Sequence, residues 1–330
     1  MKKVGLVLAG GGGRGAYHIG VWKALRENGL DRYVSAISGT SVGGLNAALF
    51  LQGDLEKAMK VWENISVEKI LTPRYAFNSD MKKYTYRQLK EKHSGIYCFL
   101  RDGLADIIDK NLQMSVFDKS SINCYMTCRR TQYRKDMDDY EKMYTNPDGT
   151  KGIEKYVKGK ATYFNMRAFN KDDRKKILLA TSAMPFIFPK EKINNYYYMD
   201  GGSADNLPVE PLYSIEGCRI IIVVHLTTNE RLLKIKKEDY PNAVILEIRP
   251  RQEQGGLFAG ILDFTAEGAK RRIQQGYDDT IEMFCNIEKI VDNEDMSIAQ
   301  WEDALREEES ANQRIEDGWK TIQDNLQKIY

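Results

Sequence analysis

Histidine and cysteine are both scarce in this chain. Only three of its 330 residues are histidines, at His18, His93 and His225. Because imidazole is a common ligand for transition metals, three scattered copies argue against a His-rich metal site. Five cysteines are an odd number, whereas the disulfide framework of a secreted domain is usually even and dense, so we expect reduced thiols. Cys124 and Cys128 are four residues apart, but no second Cys or His pair follows at ligand spacing, and we expect no zinc site.

Long apolar runs are also missing from the sequence. The first run, from Val4 to Ala9, is ended by glycines from Gly10 and by Arg14, and it is too short for the core of a signal peptide. The run from Ile220 to Val224 has the length of a β-strand and is far shorter than a membrane span. With 42% hydrophobic and 29% charged residues, the composition is that of a globular protein. We therefore expect a soluble, cytoplasmic protein.

The net charge is close to zero, because 49 Lys and Arg residues nearly balance 47 Asp and Glu residues. This balance gives no overall attraction to nucleic acid, and the sequence has no nucleic-acid recognition motif. It hides an asymmetry, since residues 60–192 carry a net charge of +10 and residues 278–330 carry −10. The basic region includes Arg129-Arg130, Arg134-Lys135, Lys151, Lys155, Lys158, Lys160 and Arg174-Lys175-Lys176. One hypothesis is peripheral contact of this region with an anionic membrane surface; the alternative is a solvated, ion-paired surface.

The first fifty residues repeat one pattern twice. A short apolar strand from Val4 to Leu8 is followed by a glycine turn and by a helix from Ala16 to Asn28. A second strand, from Val34 to Ser38, leads through another glycine turn into a helix over Leu45 to Leu51. Strand, glycine turn and helix in alternation predict an α/β fold with a mainly parallel sheet.

The rest of the chain continues this pattern less regularly. Strands are predicted at Ile122 to Arg129, Ala161 to Phe169, Tyr196 to Met199, Ile220 to Leu226 and Ala243 to Ile248, and helices at Arg174 to Ala183 and Phe264 to Phe284. A polar stretch with the turn Asn146-Pro147-Asp148-Gly149 lies between the first two of these strands. We predict one domain over residues 1–285, with a helical, basic insert at about 54–120.

The C-terminal residues 286–330 are predicted to form a helical extension. Their apolar residues recur at steps of three and four, which is the period of a helix with one apolar face. Packing of this face on the protein's own domain is the simpler interpretation. A helix that joins two copies into a homo-oligomer is the alternative.

The first glycine turn, Gly10-Gly11-Gly12-Gly13-Arg14-Gly15, has two functional interpretations. It fits the G-x-G-x-x-G fingerprint of dinucleotide-binding domains, and it equally fits an oxyanion hole, in which backbone N–H groups face a developing negative charge. A dinucleotide site calls for an acidic residue about twenty residues further on, at the end of the second strand. The sequence has Ser38-Gly39-Thr40-Ser41 at that place, with Asp31 before the strand.

The second glycine turn, Gly39-Thr40-Ser41-Val42-Gly43, favours the oxyanion interpretation. It is a G-x-S-x-G motif directly between a strand and a helix, which is the context of a nucleophile elbow. The chain must turn sharply there, so small residues, Gly39 and Gly43, flank the candidate nucleophile Ser41. The backbone N–H of Val42 is then expected to face the oxyanion.

A serine hydroxyl needs a general base that takes its proton. His225 is a formal candidate because it follows the strand from Ile220 to Val224, whereas His18 lies near the apolar face of the first helix and is expected to be packed there. Asp200 is the other candidate, since it follows a strand and precedes Gly201-Gly202. An isolated Asp-Gly-Gly also fits a plain turn, so the residues alone leave the base open.

Four motifs in this order make the sequence similar to the patatin-like phospholipase family. They are the two glycine turns, Ser182-Ala183-Met184-Pro185 with Phe188-Pro189, and Asp200-Gly201-Gly202 with Asn206-Leu207-Pro208, and they span roughly residues 4 to 285. The resemblance implies a three-layer α/β/α fold and a Ser-Asp dyad without histidine, with Ser41 as nucleophile and Asp200 as base. It implies an oxyanion hole at Gly10, Gly11, Gly12, Gly13 and Gly15, with Arg14 ordering that loop. It also implies acyl lipids, commonly phospholipids or lysophospholipids, as substrates, and no organic cofactor.

The implied dyad is chemically reasonable, because burial beside an apolar cleft would raise the pKa of Asp200 above about 3.9 and make it a better base. The run from Tyr196 to Met199 fits a wall of such a cleft, but simple strand packing explains it equally well. Other functions remain as alternatives: a Ser-Asp-His esterase that uses His225, a non-catalytic lipid- or nucleotide-binding module on the same fold, and, more distantly, a dehydrogenase.

Overall fold

The computed structural model of the protein describes residues 3–73, 99–131, 140–145, 151–156, 161–185, 187–228 and 235–292. Most of the extension predicted at 286–330 lies outside these residues, and so does the middle of the predicted insert. The strands are β1 Val4–Leu8, β2 Val34–Thr40, β3 Thr72–Pro73, β4 Phe99–Leu100, β5 Asn123–Arg130, β6 Tyr140–Thr145, β7 Lys151–Tyr156, β8 Ala161–Asn165, β9 Glu191–Ile193, β10 Tyr196–Asp200, β11 Ile220–Val224 and β12 Val244–Ile248. The helices are α1 Ala16–Glu27, α2 Val42–Gln52, α3 Leu55–Glu63, α4 Val67–Ile70, α5 Asp102–Asn111, α6 Val116–Lys119, α7 Lys171–Thr181 and α8 Ala266–Asp292.

The central sheet is mainly parallel, as predicted. Its path runs β12-β11-β1-β2-β5-β10-β9, and β8 also pairs with β5. The strands from β12 to β5 are parallel to their neighbours, whereas β8, β9 and β10 are antiparallel. Every residue of β11 is at most 5% exposed, so both faces of the sheet are covered. The fold is a three-layer α/β/α arrangement, which confirms the predicted class.

The register of β5 determines where two other strands end. β2 is parallel to β5 and ends with Thr40 opposite Thr127, while β10 is antiparallel to β5 and ends with Asp200 opposite Cys128. β8 pairs with residues of β5 that also pair with β2 or with β10, so β8 occupies one edge of β5. β2 and β10 therefore lie along the other edge, where the end of β2 meets the end of β10. Ser41 follows Thr40 directly, so this register brings Ser41 and Asp200 together.

Two features of the fold differ from the sequence-based expectation. β6 and β7 form an antiparallel hairpin in the stretch that was expected to be polar and without strands. Five of their twelve residues are charged, so the apolar alternation that predicts a strand is missing. Helix α8 continues to Asp292, past residue 285 where the extension is predicted to begin, because no glycine or proline interrupts the chain there. No helix in the described ranges is both long and apolar enough to span a bilayer.

Helices α1 and α8 pack with their backbones almost in contact. A Cβ atom on Gly20 of α1 would lie 1.9 Å from the carbonyl oxygen of Ile273, and a Cβ atom on Gly276 of α8 would lie 2.2 Å from the carbonyl oxygen of Tyr17. The hydroxyl of Tyr17 also donates to Asp279 at 3.1 Å. The two glycines therefore allow an approach that no larger residue permits.

We expect Gly20→Ala to lower the free energy of unfolding by about 2 kcal/mol, because the new methyl group has no room unless the helices separate. The sign is opposite to helix propensity, which favours alanine by roughly 0.5–1 kcal/mol. Urea unfolding measures the change. Gly256→Ala is the control, because no atom lies within 4 Å of a Cβ there, and it should alter stability by less than about 0.5 kcal/mol. Equal stability of the two variants would contradict the close packing.

Candidate active site

Ser41 occupies a strained turn between β2 and α2. Its backbone angles are φ 57° and ψ −128°, a positive-φ conformation that is rare for a residue with a side chain. A Cβ atom on Gly39 would lie 2.4 Å from the carbonyl carbon of Gly43, and a Cβ atom on Gly43 would lie 2.1 Å from the carbonyl oxygen of Leu8. Both flanking positions therefore require glycine, and the turn has the geometry of a nucleophile elbow.

The Ser41 hydroxyl lies close enough to the carboxylate of Asp200 to interact with it and to lower its pKa. The Oδ1 atom of Asp200 accepts the backbone N–H of Gly202 at 2.7 Å. Asp200 is 6% exposed and Ser41 is 7% exposed, so the pair is shielded from water. Burial raises the pKa of Asp200 to about 6, while the nearby Ser41 hydroxyl, the hydrogen bond from Gly202 and the charge of Arg101 act in the opposite direction. Such a carboxylate is mostly ionised at pH 7 and is a stronger base than an exposed one.

The end of α7 holds both members of this pair. The Thr181 hydroxyl accepts the backbone N–H of Ser41 at 2.9 Å and donates to the carbonyl oxygen of Thr127 at 2.6 Å. Two residues later, the carbonyl oxygen of Ala183 accepts the backbone N–H of Asp200 at 3.0 Å. Thr181 is missing from the predicted site residues, although it directly precedes one of the motifs that carry the family resemblance.

The first glycine turn lies beside Ser41 because β1 and β2, the strands that precede the two turns, are parallel neighbours. In the described part of the chain, the backbone N–H groups of Gly11 and Gly12 have no protein acceptor. Val42 is the first residue of α2, so its N–H has no partner within the helix either. Gly12 has φ +57°, and a Cβ atom there would lie 2.1 Å from the carbonyl oxygen of Ile261, so the position requires glycine.

Gly10 does not fit its predicted role in the oxyanion hole. Its backbone N–H donates to Oδ1 of Asn206 at 3.1 Å, and its carbonyl oxygen accepts from Nδ2 of the same side chain at 3.2 Å. The N–H of Arg14 is also engaged, because it donates to the carbonyl oxygen of Gly11 at 3.3 Å. The donors that remain available are therefore fewer than the predicted set from Gly10 to Gly15.

Arg14 connects the glycine turn to two other loops. Its guanidinium donates to the carbonyl oxygen of Leu226 at 3.3 Å and to that of Gly255. A Cβ atom on Gly13 would lie 2.1 Å from the carbonyl oxygen of Asp263, so the chain at Asp263 packs directly against the glycine turn. These contacts agree with the expectation that Arg14 orders the loop.

His225 lies at the end of β11, and β1 separates β11 from β2. β11 and β2 are therefore two strand spacings apart, roughly 10 Å, and this separation is too long for a hydrogen bond between His225 and Ser41. The Nε2 atom of His225 lies instead 2.9 Å from Oε2 of Glu247 on β12. Although burial acts to raise it, the hydrogen bond from His225 and the charge of Arg249 lower the pKa of Glu247 to about 2. This arrangement does not favour His225 as the base.

His18 does not offer a base either. His18 is 2% exposed, and its Nδ1 atom lies 3.2 Å from Nδ2 of Asn46. Burial lowers the pKa of His18 to about 3, so it is neutral, and it is packed as expected from the apolar face of its helix. His93 lies outside the described residues. Within those residues, no group of three or more His, Cys, Asp or Glu side chains could hold a metal ion.

An apolar cavity opens beside Ser41. It contains about 810 Å³ of empty space, counted out to its mouth. Its walls include Leu45 of α2, Val61 of α3, Ile70 of α4 and Ile108 of α5. An apolar lining of this kind suits a hydrocarbon chain. Most of these helices belong to the predicted insert, which therefore forms part of the site.

None of the three tyrosines before Asp200 lines the cavity, and Tyr197 is 39% exposed. Tyr198 is 2% exposed, and its ring meets Phe164 edge-on with 5.0 Å between ring centroids. The ring of Tyr196 lies 3.2 Å from the guanidinium carbon of Arg130. Of the two explanations for this run, the structure supports packing.

Several basic residues of the proposed membrane-contact region are engaged within the protein. Arg174, Lys175 and Lys176 each pair with an aspartate, at N–O distances of at most 3.1 Å. Residues 134–135, 158 and 160 lie outside the described part of the chain. Contact with an anionic membrane therefore stays a prediction.

Comparison with known proteins gives one family for this chain. The model of the patatin-like phospholipase family matches residues 6–213, which is more than half of the 330 residues. The match includes both glycine turns, the segment after α7 and Asp200 with its Gly-Gly turn. The chain belongs to the patatin-like phospholipase family.

Individual relatives match over shorter stretches. The chain is 37% identical to lysophospholipase NTE1 of Coccidioides immitis over 97 residues, which are 29% of this chain and 6% of that protein. It is 51% identical to the neuropathy target esterase sws of Drosophila melanogaster over 49 residues, 15% of this chain and 3% of that protein. The chain thus spans only a small part of the length of these relatives. VipD from Legionella pneumophila aligns with 87% of this chain and 67% of its own, at a TM-score of 0.47 and 15% identity.

The burial of Asp200 generates a prediction about stability. Its pKa is raised to about 6 in the folded protein, against about 3.9 in an unfolded chain. Stability that is fully present below the unfolded value is therefore lost as the pH rises through the folded value. Asp200→Asn cannot ionise, so between pH 4.5 and pH 7.5 its stability relative to the wild type should rise by about 2 kcal/mol. Urea unfolding at both pH values measures this change.

Asp106→Asn is the control for this experiment. It removes a carboxylate that is 69% exposed on α5, and its stability relative to the wild type should not depend on pH in this way. A pH-independent difference between Asp200→Asn and the wild type would contradict the burial of an ionisable Asp200.

Proposed function

We propose that the protein is a serine-dependent lipid acyl hydrolase of the phospholipase A or lysophospholipase type. The observation that carries this proposal is the proximity of the Ser41 hydroxyl to the buried Asp200 carboxylate, beside an apolar cavity. Membership of the patatin-like phospholipase family supports the same class of reaction. So do two of the matched relatives, which are named as a lysophospholipase and an esterase.

Acylation begins when a lipid ester binds with its acyl chain in the cavity and its carbonyl carbon next to Ser41. The Ser41 oxygen attacks this carbon while Asp200 takes the hydroxyl proton, which gives a tetrahedral intermediate. The backbone N–H groups of Gly11, Gly12 and Val42 stabilise the negative charge on the former carbonyl oxygen. Asp200 then gives the proton to the leaving alcohol oxygen, the C–O bond breaks, and the acyl group stays on Ser41.

Deacylation follows the same path with water in place of the serine. Asp200 takes a proton from a water molecule as its oxygen attacks the acyl-Ser41 ester, and the same N–H groups hold the second oxyanion. The bond to Ser41 then breaks, the serine oxygen regains its proton from Asp200, and a fatty acid is released. One carboxylate therefore serves both half-reactions, and no histidine is required.

We expect Ser41→Ala and Asp200→Asn each to lower kcat for lysophospholipid hydrolysis by about 10³-fold or more, because each removes a group that acts in both half-reactions. Fatty-acid release measures the rate, and circular dichroism checks that the variants are folded. His225→Gln is the comparison variant, since it keeps a donor near Glu247, and it should retain most of the activity. A loss as large as that of Ser41→Ala would favour the Ser-Asp-His alternative.

The same variants separate a hydrolase from a non-catalytic lipid-binding module. A fluorophosphonate probe should label the wild type at Ser41 and leave Ser41→Ala unlabelled, because only an activated serine reacts. A wild type that binds lipid but is neither labelled nor active would be a binding module.

The cavity generates a prediction about the acyl chain. Leu45→Trp places a larger side chain in the cavity wall, so kcat/KM for a long-chain ester should fall about tenfold or more, while that for a butyryl ester should change little. Leu55→Trp is the matched control, because Leu55 is a partly buried leucine on α3 that does not line the cavity. Equal losses for both chain lengths would show that the acyl chain binds elsewhere.

A further inference from the structure

Arg101 is a buried cation to which the mechanism above gives no role. It lies between β4 and α5 in the insert and is 6% exposed. Its Nη2 atom donates to the Ser182 hydroxyl at 2.9 Å, and its Nη1 atom donates to the carbonyl oxygen of Pro189 at 3.4 Å. Its guanidinium carbon lies 5.1 Å from the centroid of the Phe188 ring. Burying a cation is costly unless nearby charges and hydrogen bonds compensate, so its surroundings are informative.

The hydrogen bond to Ser182 connects Arg101 to the catalytic pair. Ser182 is the middle residue of Thr181-Ser182-Ala183, which we call the clamp segment. The first residue of this segment accepts the backbone N–H of Ser41, and the last accepts that of Asp200. The Ser182 hydroxyl donates in turn to the carbonyl oxygen of Leu178 at 2.9 Å. Arg101 therefore anchors, from the side of the insert, the segment that positions both reacting groups.

The charge of Arg101 also acts on Asp200 itself. Burial raises the pKa of Asp200, while the nearby Ser41 hydroxyl, the hydrogen bond from Gly202 and the charge of Arg101 lower it. The thiol of Cys128 on β5 also interacts with Asp200, and burial raises its pKa well above the usual value, so it is neutral.

Glu191 on β9 is the other carboxylate that interacts with Arg101. Burial raises its pKa, while Arg101 and Lys176 act to lower it. Among the described groups that act on Asp200, Arg101 is thus the cation that favours the anionic carboxylate.

We propose that Arg101 is a positioning residue for the hydrolysis, because it fixes the clamp segment that holds the backbones of Ser41 and Asp200. This inference rests on the proposed function and deepens it. It gives the insert a role in the chemistry as well as in the cavity wall. The reaction rate should therefore depend on a residue that touches neither the substrate nor Ser41.

The test is the pH profile of kcat/KM for a soluble ester. Activity rises with pH as Asp200 loses its proton, so this acidic limb reports the pKa of the base. Arg101→Met removes the cation and should move the limb to higher pH by about half a unit or more. Arg101→Lys keeps the charge but not the two-point contact, so it should move the limb less while still lowering kcat.

Arg174→Met is the matched control, because Arg174 is a 3% exposed arginine that pairs with Asp118 and donates to the carbonyl oxygen of Met166 at 2.8 Å. It should lower stability and leave the acidic limb in place. Ser182→Ala removes the acceptor of Arg101 but leaves the charge, and it should lower kcat without moving the limb. If Arg101→Met does not fold, Arg101→Lys and Ser182→Ala decide: wild-type kcat in both would overturn the inference.

The inference would also be overturned if the acidic limbs of the kcat/KM profiles of Arg101→Met and Arg174→Met coincided. Failure of the proposed function looks different, because wild type and Ser41→Ala would then be equally inactive. Carbon-13 NMR titration of the Asp200 carboxyl in wild type and Arg101→Met gives the same comparison without turnover. An Asp200 pKa that is equal in the two proteins would contradict the inference whatever the activity.

Discussion

The candidate site depends on one junction in the sheet, where β2 and β10 approach each other along the edge of β5. Because side chains alternate between the two faces of a strand, a slip of one residue in β10 would turn Asp200 to the opposite face and away from Ser41. The carbonyl oxygen of Thr127 at this junction accepts the Thr181 hydroxyl, and a Cβ atom on Gly201 would lie 2.5 Å from the same oxygen. The pair of Ser41 and Asp200 is thus held in place by contacts at this junction of the sheet.

The strained backbone of Ser41 follows from the same junction. A positive φ angle at a serine costs on the order of 1–3 kcal/mol and persists only when the surroundings enforce it. Here the N–H of Ser41 is fixed by Thr181, and the two flanking glycines pack against each other and against β1. The strain keeps the hydroxyl at the end of the strand, where Asp200 meets it. The contacts of Thr181 and of the flanking glycines therefore hold Ser41 beside Asp200.

The sequence predicts the parts of the site that are local and leaves out those that depend on distant contacts. The two glycine turns each follow a strand of the parallel part of the sheet directly, so their placement at one edge could be predicted from short patterns. Asp200 ends an antiparallel strand, so its approach to Ser41 depends on the register of β5. The engagement of Gly10 could not be predicted, because its partner Asn206 is 196 residues away. The same holds for Arg101, which binds Ser182 across 81 residues and lies in a stretch without a recognisable motif. The hairpin of β6 and β7 was missed for another reason, since its many charged residues hide the alternation of a strand.

The cavity and the base place opposite demands on the same few side chains. An apolar wall excludes water, which suits a hydrocarbon chain and raises the pKa of Asp200, but a base that is fully protonated cannot accept a proton. With a pKa of about 6, Asp200 is about nine-tenths ionised at pH 7 and yet more basic than an exposed carboxylate. The insert affects both the cavity and the pKa of Asp200, because α3, α4 and α5 line the cavity and Arg101 lies at the start of α5. Under the proposed function, a change in the insert should therefore alter the preferred acyl chain and the strength of the base together.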